Sequence, residues 1–327
     1  MNKCVGCGAI LQIGSKEQEG YTVDTNKKLC ERCFRINNYG DYKVIVKDNE
    51  EFVNILKRIN ETKDLVVLVV DLFNINQELL NLSKLIKNPI LLVLSKRDLL
   101  PKSLFEERIL EYMDRFCLNV VDKIIISSNK NYQFDELYEK INLYKQSKNV
   151  YVVGFTNAGK STMINKLLYN YSDVDTRITT SVLPSTTLNS IEIVMNEELT
   201  LIDTPGLLDN GNIINYVDGK DLKKIVPTKE IKPITYQIKK SQIVEIDKYA
   251  FVECSDANIT LFMSNLLNIK RSYKAQNFSD FKTYEIDVKK GEDIVIVGLG
   301  FIKVSKNAKF KIHVLKNVLV YVRDSLI

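Results

Sequence analysis

Histidine is nearly absent from this sequence of 327 residues, which contains only His313. Imidazole is the side chain most often used as a general base near neutral pH, because it titrates in that range. The composition therefore argues against His-dependent acid–base or nucleophilic catalysis. His313 itself is most simply interpreted as a residue of a β-strand.

Long apolar runs are absent as well, and no stretch approaches the roughly 20 residues that a membrane-spanning helix needs. The opening residues Met1–Cys4 do not resemble a secretory signal peptide. We therefore expect a cytoplasmic protein without membrane contact. Because the cytosol keeps thiols reduced, the six cysteines are expected to be metal ligands or buried thiols rather than disulfides. Cys117 and Cys254 stand alone in apolar surroundings and are predicted to be core thiols.

Charge is unevenly distributed along the chain. Residues 217–327 carry 20 Lys and Arg against 13 Asp and Glu, a net charge of +7, whereas residues 1–216 carry a net charge of −2. A basic C-terminal third suggests a polyanionic partner, with nucleic acid as the first candidate. A solvated lysine-rich surface would have the same composition, and both interpretations stay open.

Four cysteines form two C-x-x-C pairs near the start of the chain, Cys4 with Cys7 and Cys30 with Cys33. Two such pairs can place four thiolates tetrahedrally around one Zn²⁺. A redox-active pair is the competing interpretation, but two pairs in one short polar segment favour a structural site. We predict a Cys4 zinc module over residues 1–48, with too few apolar residues to fold without metal.

The stretch Gly154–Ser161, called the phosphate loop below, fits the pattern G-x-x-x-x-G-K-[ST]. It lies between a predicted strand at 150–153 and a predicted helix at 161–168. In such a loop Lys160 reaches the β- and γ-phosphates and the hydroxyl of Ser161 ligates Mg²⁺. The predicted phosphate-binding residues are Gly154, Asn157, Ala158, Gly159, Lys160, Ser161 and Thr162.

Helix and strand patterns alternate up to the phosphate loop. The predicted helices are residues 48–60, 77–86, 104–116 and 134–144, and the predicted strands are residues 64–71, 90–94 and 123–127. This repetition is typical of a doubly wound α/β domain with a parallel sheet. Ligands bind such sheets at the carboxyl ends of the strands.

Two polar tetrapeptides follow successive predicted strands. Ser95–Asp98 resembles the guanine-specificity motif N-K-x-D, with Ser in place of Asn. A carboxylate at Asp98 can accept hydrogen bonds from N1 and the 2-amino group of guanine, an edge that adenine lacks. Residues 127–130 resemble the S-A-x-K loop, whose backbone NH meets guanine O6. The predicted base-binding residues are Ser95, Lys96, Asp98, Ser127, Ser128 and Asn129.

Two segments after the phosphate loop have the pattern of nucleotide switches. Residues 184–187 resemble switch I, and Thr187 is the predicted Mg²⁺-binding hydroxyl. Asp203–Gly206 follows a predicted strand at 199–202 and fits the switch II signature D-x-x-G. Asp203 would hold Mg²⁺ through water, and the NH of Gly206 would sense the γ-phosphate.

The order of these motifs is unusual, because the guanine motifs precede the phosphate loop and both switches. An ordinary GTPase has the phosphate loop first, so this chain is predicted to be circularly permuted. With this order and its two cysteine pairs, the chain resembles the YqeH family of circularly permuted GTPases. The segments that carry the resemblance are 4–8, 30–35, 95–103, 154–162, 184–192 and 203–208, with weaker similarity at 297–301 and 322–324.

The resemblance implies a GTP-hydrolysing switch in assembly of the small ribosomal subunit. The implied partners are that subunit or its precursor, rRNA and ribosomal proteins, and the protein is expected to be a monomer. The expected organisation is the zinc module, a GTPase domain at 49–216 and a C-terminal domain at 217–327 that contacts RNA or protein. A nucleotide-regulated RNA-binding scaffold with negligible hydrolysis is the competing hypothesis.

Hydrolysis also needs a group that orients the attacking water. Ras-like GTPases place a Gln directly after D-x-x-G, whereas Leu207 follows here. The family resembles GTPases that use a K⁺ ion held partly by an Asn at the position of Asn157. Alternatively, Asn157 merely shapes the loop, because Asn suits turns. The predicted catalytic residues are Lys160, Asn157, Thr187 and Gly206, and the predicted cofactors are GTP or GDP, Mg²⁺, Zn²⁺ and K⁺.

The last third of the chain has strand-like or mixed patterns at residues 243–251, 258–267, 294–297 and 317–323. We expect an α+β or mostly β domain with a basic surface. Four of its aromatic residues could stack on nucleic-acid bases, although their spacing favours positions in the core. They are Tyr249, Phe251, Phe262 and Tyr273.

Overall fold

The structure is a computed structural model that describes residues 10–14, 21–31, 49–75, 82–116, 119–172, 183–184, 190–207, 209–273 and 277–327. The chain forms two compact units. Unit 1 comprises residues 1–71, 81–95 and 119–208, and unit 2 comprises residues 72–80, 96–118 and 209–327. None of the described helices is long and apolar enough to span a membrane. The functional domains expected at 1–48, 49–216 and 217–327 remain a prediction.

Unit 1 contains a seven-stranded sheet with the order β3-β2-β1-β4-β7-β6-β5. The strands are β1 (Leu65–Asp71), β2 (Ile90–Ser95), β3 (Asp122–Ile125), β4 (Asn149–Gly154), β5 (Leu183–Pro184), β6 (Ile191–Asn196) and β7 (Leu199–Asp203). Neighbouring strands from β3 to β7 are parallel, whereas β6 runs antiparallel to both of its neighbours. All five strands predicted in this region are confirmed to within a few residues.

Burial explains the composition of these strands. Every residue of β1 is buried, which is why the strand is aliphatic on both faces. Strand β6 lies near the edge of the sheet, and its residues alternate between buried and more exposed positions. The central strands therefore give a strong sequence signal, and the strand near the edge gives a weaker one.

Five α-helices lie wholly within the described residues: α1 (Asn49–Ile59), α2 (Glu106–Asp114), α3 (Phe134–Tyr144), α4 (Lys160–Tyr171) and α5 (Gly219–Ile225). Helices α1, α3 and α4 belong to unit 1, whereas α2 and α5 belong to unit 2. The predicted apolar face of α1 is buried, as shown by Phe52, Ile55 and Ile59. The helix predicted at 77–86 lies partly outside the described residues, and residues 82–85 are helical.

The sheet order matches the predicted permutation. Strands β1, β2 and β3 lie on one side of β4, and β7, β6 and β5 lie on the other. The chain therefore completes the side of the sheet that ends in the guanine motifs before it reaches the phosphate loop. The switch segments come last in this sheet.

Unit 2 contains two antiparallel five-stranded sheets, with the orders β12-β9-β10-β16-β13 and β17-β14-β15-β11-β8. The strands are β8 (Ile234–Ile238), β9 (Gln242–Ile246), β10 (Ala250–Cys254), β11 (Ala257–Met263), β12 (Ile269–Ser272), β13 (Phe281–Val288), β14 (Glu292–Ile296), β15 (Gly300–Val304), β16 (Ala308–Leu315) and β17 (Val320–Asp324). One buried apolar cluster takes residues from both sheets, such as Val252 and Ile302. The described part of the C-terminal third is thus mostly β.

Some expectations for unit 2 need correction. The strand pattern at 243–251 is divided between β9 and β10, because Asp247 adopts a left-handed turn conformation with φ of 50°. Tyr249 and Phe262 are buried as expected, but Tyr273 is 73% exposed, so the core prediction is wrong for that residue. Cys254 is a buried thiol in β10, as predicted, and Cys117 lies outside the described residues. His313 lies in β16, which confirms its interpretation as a strand residue.

Candidate functional site

The phosphate loop begins where β4 ends, at Gly154. This residue has a φ of 157°, and a Cβ atom there would lie 2.3 Å from the carbonyl oxygen of Val69. Glycine therefore allows β1 and β4 to pair closely up to the start of the loop. At the other end of the loop, Gly159 caps α4 with a left-handed φ of 96°. Backbone NH groups in the first turn of α4 are thus directed back toward the loop, as phosphate binding requires.

Lys160 is the first residue of α4, and its side chain is buried. Its Nζ atom donates hydrogen bonds to the carbonyl oxygens of Gly154 and Phe155, both at 3.2 Å. Burial lowers the pKa of the Lys160 ammonium group, and the carboxylate of Asp203 acts in the opposite direction. An anionic ligand would stabilise this buried cation.

Asp203 ends β7 and is nearly inaccessible to solvent. Its Oδ2 atom lies 3.5 Å from the hydroxyl of Ser161, and its Oδ1 atom is buried without a hydrogen-bond partner among the described residues. Burial raises the pKa of Asp203 to about 6, whereas Lys160 and Ser161 lower it. A buried carboxylate oxygen with an unused acceptor position beside a hydroxyl suits a hard divalent cation such as Mg²⁺. The described residues of the predicted magnesium site therefore fit the metal.

The segment after Asp203 pairs with the phosphate loop. Thr204 donates its hydroxyl to the carbonyl of Val152 at 2.8 Å. The NH of Leu207 donates to the carbonyl of Gly154, and the NH of Thr156 donates to the carbonyl of Leu207. A Cβ atom on Gly206 would lie 3.0 Å from both Thr156 Cα and Lys160 Nζ. The close approach of switch II to the phosphate loop therefore depends on a glycine at this position.

Ser95 links the end of β2 to the phosphate loop within unit 1. Its hydroxyl lies 2.5 Å from the carbonyl oxygen of Ala158 and 3.2 Å from that of Val70. Because a hydroxyl has one hydrogen, the shorter contact is the donated bond. Ser95 thus holds the strand with the guanine motif against the phosphate loop, although it replaces the usual Asn.

The rest of the first guanine motif belongs to unit 2. Lys96 has a left-handed backbone, with φ of 66°, and precedes a 3-10 turn over Arg97–Leu99 that contains Asp98. The guanidinium of Arg97 donates to the carbonyls of Leu100, Pro101 and Leu104 and to the carboxylate of Glu106. Asp98 is half-buried on this turn. No side-chain pattern in the sequence reveals the role of Arg97, because its hydrogen-bonding partners are mainly backbone atoms.

The second guanine motif forms a closed turn in unit 1. Ser127 exchanges two backbone hydrogen bonds with Tyr132, and its hydroxyl accepts a hydrogen bond from the NH of Lys130 at 3.1 Å. Ser127 is buried, Ser128 is half-buried and Asn129 is exposed. The loop is thus fixed by its own hydrogen bonds, while Ser128 and Asn129 face outward enough to meet a ligand.

Asn157 is exposed at the tip of the phosphate loop. Its backbone is left-handed, with φ of 62°, a conformation that Asn tolerates better than most residues. This geometry agrees with a loop-shaping role, and it leaves the side chain accessible for a K⁺ ion. Both hypotheses for Asn157 therefore remain open.

Several predicted ligands lie outside the described residues, namely Thr187, Cys4, Cys7 and Cys33. Cys30 is described and is buried in a small cluster with Leu11. Within the described ranges, no group of three or more His, Cys, Asp or Glu residues could hold a metal ion. The zinc site therefore remains a prediction.

Two family models match the chain. The one described as "RsgA GTPase" matches residues 51–211, and the one described as "50S ribosome-binding GTPase" matches residues 149–298. The first match spans the guanine motifs and then the phosphate loop in the order found here. The second starts at the strand before the phosphate loop.

Among curated proteins, YqeH of Bacillus subtilis (strain 168) is 36% identical over 362 residues, which cover 99% of both chains. A protein named "NO-associated protein 1, chloroplastic/mitochondrial" of Arabidopsis thaliana is 29% identical over 72% of this chain and 48% of its own length. GTPase Der of Thermoanaerobacter sp. (strain X514) is 26% identical over 48% of this chain and 37% of its own length. With the full-length match to YqeH, the permuted sheet and the phosphate loop, this chain belongs to the YqeH family of circularly permuted GTPases.

Proposed function

We propose that this protein binds GTP, hydrolyses it to GDP and phosphate, and acts as a switch in assembly of the small ribosomal subunit. The observation that best supports the nucleotide part is the grouping of Lys160, Ser161 and Asp203 at the first turn of α4. A buried cation, a hydroxyl and a buried carboxylate with an unused oxygen are the groups that a phosphate and its metal ion need.

The phosphates would be bound by backbone NH groups of the phosphate loop and by Lys160. Because burial lowers the pKa of the Lys160 ammonium, a bound phosphate would restore the stability of the charged form. The Gly206 NH would sense the γ-phosphate. The close approach of Gly206 to Lys160 supports this role.

Ser161, Asp203 and the predicted switch I residue Thr187 would hold Mg²⁺. When bound, the ion neutralises charge on the phosphate oxygens. Asp203 would orient the ion's water ligands through its buried carboxylate. The unpartnered Oδ1 atom supports this assignment.

Guanine would be recognised by Asp98, with Lys96 covering the ring and residues 127–129 near O6. The Asp98→Asn variant tests this assignment, because an amide can donate a hydrogen bond to the 2-oxo group of xanthine. We expect GTP affinity to fall by about tenfold or more and affinity for xanthosine triphosphate to rise. Asp256→Asn, at an exposed carboxylate of unit 2, is the matched control. Unchanged GTP binding by Asp98→Asn would remove Asp98 from the site.

Catalysis separates this proposal from the scaffold hypothesis. A phosphate-release assay with and without purified ribosomal subunits measures the rate of GTP hydrolysis directly. A switch should hydrolyse GTP faster when its partner is present, whereas a scaffold should show no stimulation. Parallel assays with 30S and 50S subunits test the choice of subunit, since one matching family model is described as 50S-binding.

The remaining proposals concern metals and location. Cys4, Cys7, Cys30 and Cys33 would bind one structural Zn²⁺, and metal analysis of the purified protein tests this directly. K⁺ would assist hydrolysis through Asn157. The basic composition of the C-terminal third and the family support RNA contact by that region, and we also expect the protein to act in the cytoplasm; both stay predictions.

A further inference from the structure

The segment that contains Asp98 is built into unit 2 through backbone hydrogen bonds. The NH of Ile231 donates to the carbonyl of Leu99, the residue directly after Asp98, at 2.9 Å. The NH of Lys102 donates to the carboxylate of Glu230 at 3.1 Å. Glu230 and Ile231 therefore hold the segment 99–102, which directly follows Asp98, although they lie about 130 residues later in the chain.

This short stretch, residues 230–232, is called the anchor segment here. Asn265 fixes it through both ends of its amide group. Asn265 Oδ1 accepts a hydrogen bond from the NH of Lys232, and Nδ2 donates to the carbonyl of Glu230, both at 2.8 Å. The carbonyl of Glu230 and the NH of Lys232 thus bond to Asn265, while the NH of the intervening Ile231 donates to the carbonyl of Leu99. This alternation is that of an extended backbone, with the Asn265 amide in the place of a neighbouring strand.

The two ends of the guanine turn differ in how they are supported. On the N-terminal side, Arg97 holds the turn through carbonyl groups of its own loop and Glu106. On the C-terminal side, Leu99 is buried, as is the side chain of Ile231, and the support comes from the anchor segment. Asp98 lies between these two supports. A shift of the anchor segment would therefore move the carboxylate that the proposed function assigns to guanine.

We propose that Asn265 is a positioning residue for guanine recognition, acting through the anchor segment and Leu99 on Asp98. The inference rests on the proposed function, because it needs Asp98 to contact the base. It deepens that function by making base selectivity depend on the loop between β11 and β12. Asn265 is exposed at this loop, so its replacement does not open a cavity in the core.

The test compares GDP with IDP, whose base lacks the 2-amino group that Asp98 would bind. Both nucleotides carry the same phosphates and the same N1–H, so their affinity ratio reports on the hydrogen bond between Asp98 and the 2-amino group. The parent protein should prefer GDP by about tenfold or more, the value of one hydrogen bond to a charged group. In the Asn265→Ala variant we expect this preference to fall by about threefold or more. IDP affinity should fall less than GDP affinity, because hypoxanthine keeps only the N1–H of the two groups that Asp98 would bind.

Asn307→Ala is the matched control. Asn307 Oδ1 accepts a hydrogen bond from the NH of Lys290 at 2.7 Å, so it fixes a turn of unit 2 by the same chemistry without touching the anchor segment. The Asn307→Ala variant should prefer GDP over IDP by the same factor as the parent protein. In addition, Asn265→Asp keeps the acceptor for the NH of Lys232 and should retain part of the preference.

Each other outcome is decisive. If Asn265→Ala keeps the GDP preference of the parent, or loses GDP and IDP affinity equally, Asn265 does not position Asp98 and the inference is wrong. If the parent itself shows no preference for GDP over IDP, the proposed guanine site fails, and this inference fails with it. Melting temperatures of all three variants, measured alongside, show whether the fold is retained.

Discussion

At the scale of single residues, Ser95 shows how a departure from a motif can be accommodated. The usual Asn is longer and has two polar ends, whereas the serine hydroxyl reaches the Ala158 carbonyl directly. The strand with the guanine motif and the phosphate loop are therefore joined by one short hydrogen bond. Departure from the motif at this position need not abolish nucleotide binding.

We predict that Ser95→Ala weakens GDP binding by about three- to tenfold, because a buried carbonyl at Ala158 loses its donor and the phosphate loop loses a support. Titration with fluorescent GDP measures the change. Ser172→Ala is the control, since Ser172 also donates its hydroxyl to a backbone carbonyl, that of Leu168, at the far end of α4. Equal effects of the two substitutions would contradict a specific role for Ser95.

The two hypotheses for Asn157 can be separated by comparing two substitutions. Asn157→Gly keeps the left-handed backbone but removes the amide oxygen, whereas Asn157→Ala also strains the loop, because its φ is 62°. If Asn157 holds K⁺, both variants should lose the faster hydrolysis in K⁺ than in Na⁺. The measurement is the GTP hydrolysis rate in the two salts.

A loop-shaping role gives a different pattern. Asn157→Gly would then hydrolyse GTP like the parent and keep its salt preference, and only Asn157→Ala would be slower. Equal rates of the parent protein in K⁺ and Na⁺ would exclude the potassium hypothesis altogether. Nucleotide affinity, measured in both salts, controls for weakened binding.

At the scale of elements, a parallel bridge between Phe155 and Leu207 joins the phosphate loop to the end of switch II. The bridge brings Gly206 so close to the loop that a methyl group would meet Thr156 Cα and Lys160 Nζ at 3.0 Å. Lysine can move, but a backbone Cα atom cannot move without displacing the loop. Side-chain size at residue 206 therefore controls this approach.

We predict that Gly206→Ala slows GTP hydrolysis by about tenfold or more, because the displaced NH no longer meets the γ-phosphate. GDP binding should change by less than about threefold, since GDP lacks that phosphate. Single-turnover hydrolysis and GDP titration measure the two quantities. Gly291→Ala offers a control with a left-handed glycine in unit 2 and no neighbour within 4 Å of the added methyl. Equal losses of GDP affinity and hydrolysis in Gly206→Ala would argue against γ-phosphate sensing.

The elements also show what sequence patterns can reveal. Local sequence patterns predict the limits of α3, Phe134–Tyr144, because this helix buries one apolar face. They also predict β1, because every residue of that strand is buried and the strand is therefore aliphatic throughout. Strand β13 is different: most of its residues are exposed or half-buried, and its pairing with β16 is its main support. Such a strand is harder to identify from its own sequence, because it is stabilised by pairing with another part of the chain.

The candidate site divides in the same way. Lys160, Ser161 and Asp203 were predictable, because their chemistry requires these residue types at fixed distances from strands. Arg97 and Asn265 were not, because they act on backbone groups that any residue carries. Residues that hold a motif in place through backbone hydrogen bonds are thus harder to predict from sequence than the motif residues themselves.

At the scale of the whole molecule, residues 209–213, which follow switch II along the chain, are hydrogen-bonded within unit 2. Asp209 accepts a hydrogen bond from the NH of Gly211, the carbonyl of Gly211 accepts one from the NH of Leu319, and the NH of Ile213 donates to Val297. Composition favours a loop at 209–212, and a flexible tether there would carry no signal. The hydrogen bonds show instead that residues 209–213 are held within unit 2.

The same unit carries Asp98 on its guanine turn and most of the excess positive charge of the chain. Residues 217–327 have a net charge of +7. A polyanionic partner bound to this region would therefore act on the unit that carries Asp98. By linkage, nucleotide and partner must then affect each other's binding by the same factor.

We predict that the form bound to a non-hydrolysable GTP analogue and the GDP form differ in affinity for the ribosomal partner by about 5- to 150-fold, the usual range of allosteric coupling. Binding should weaken steeply with salt, because lysine contacts to phosphates release counterions. The measurement is the affinity for purified 30S and, separately, 50S subunits at one fixed salt concentration, followed by a salt series. The Asn265→Ala variant adds a second arm: if the anchor segment carries part of the coupling, the difference between the two nucleotide forms should shrink. Affinities that agree within error for both nucleotides would show that the state of the switch does not reach the basic region.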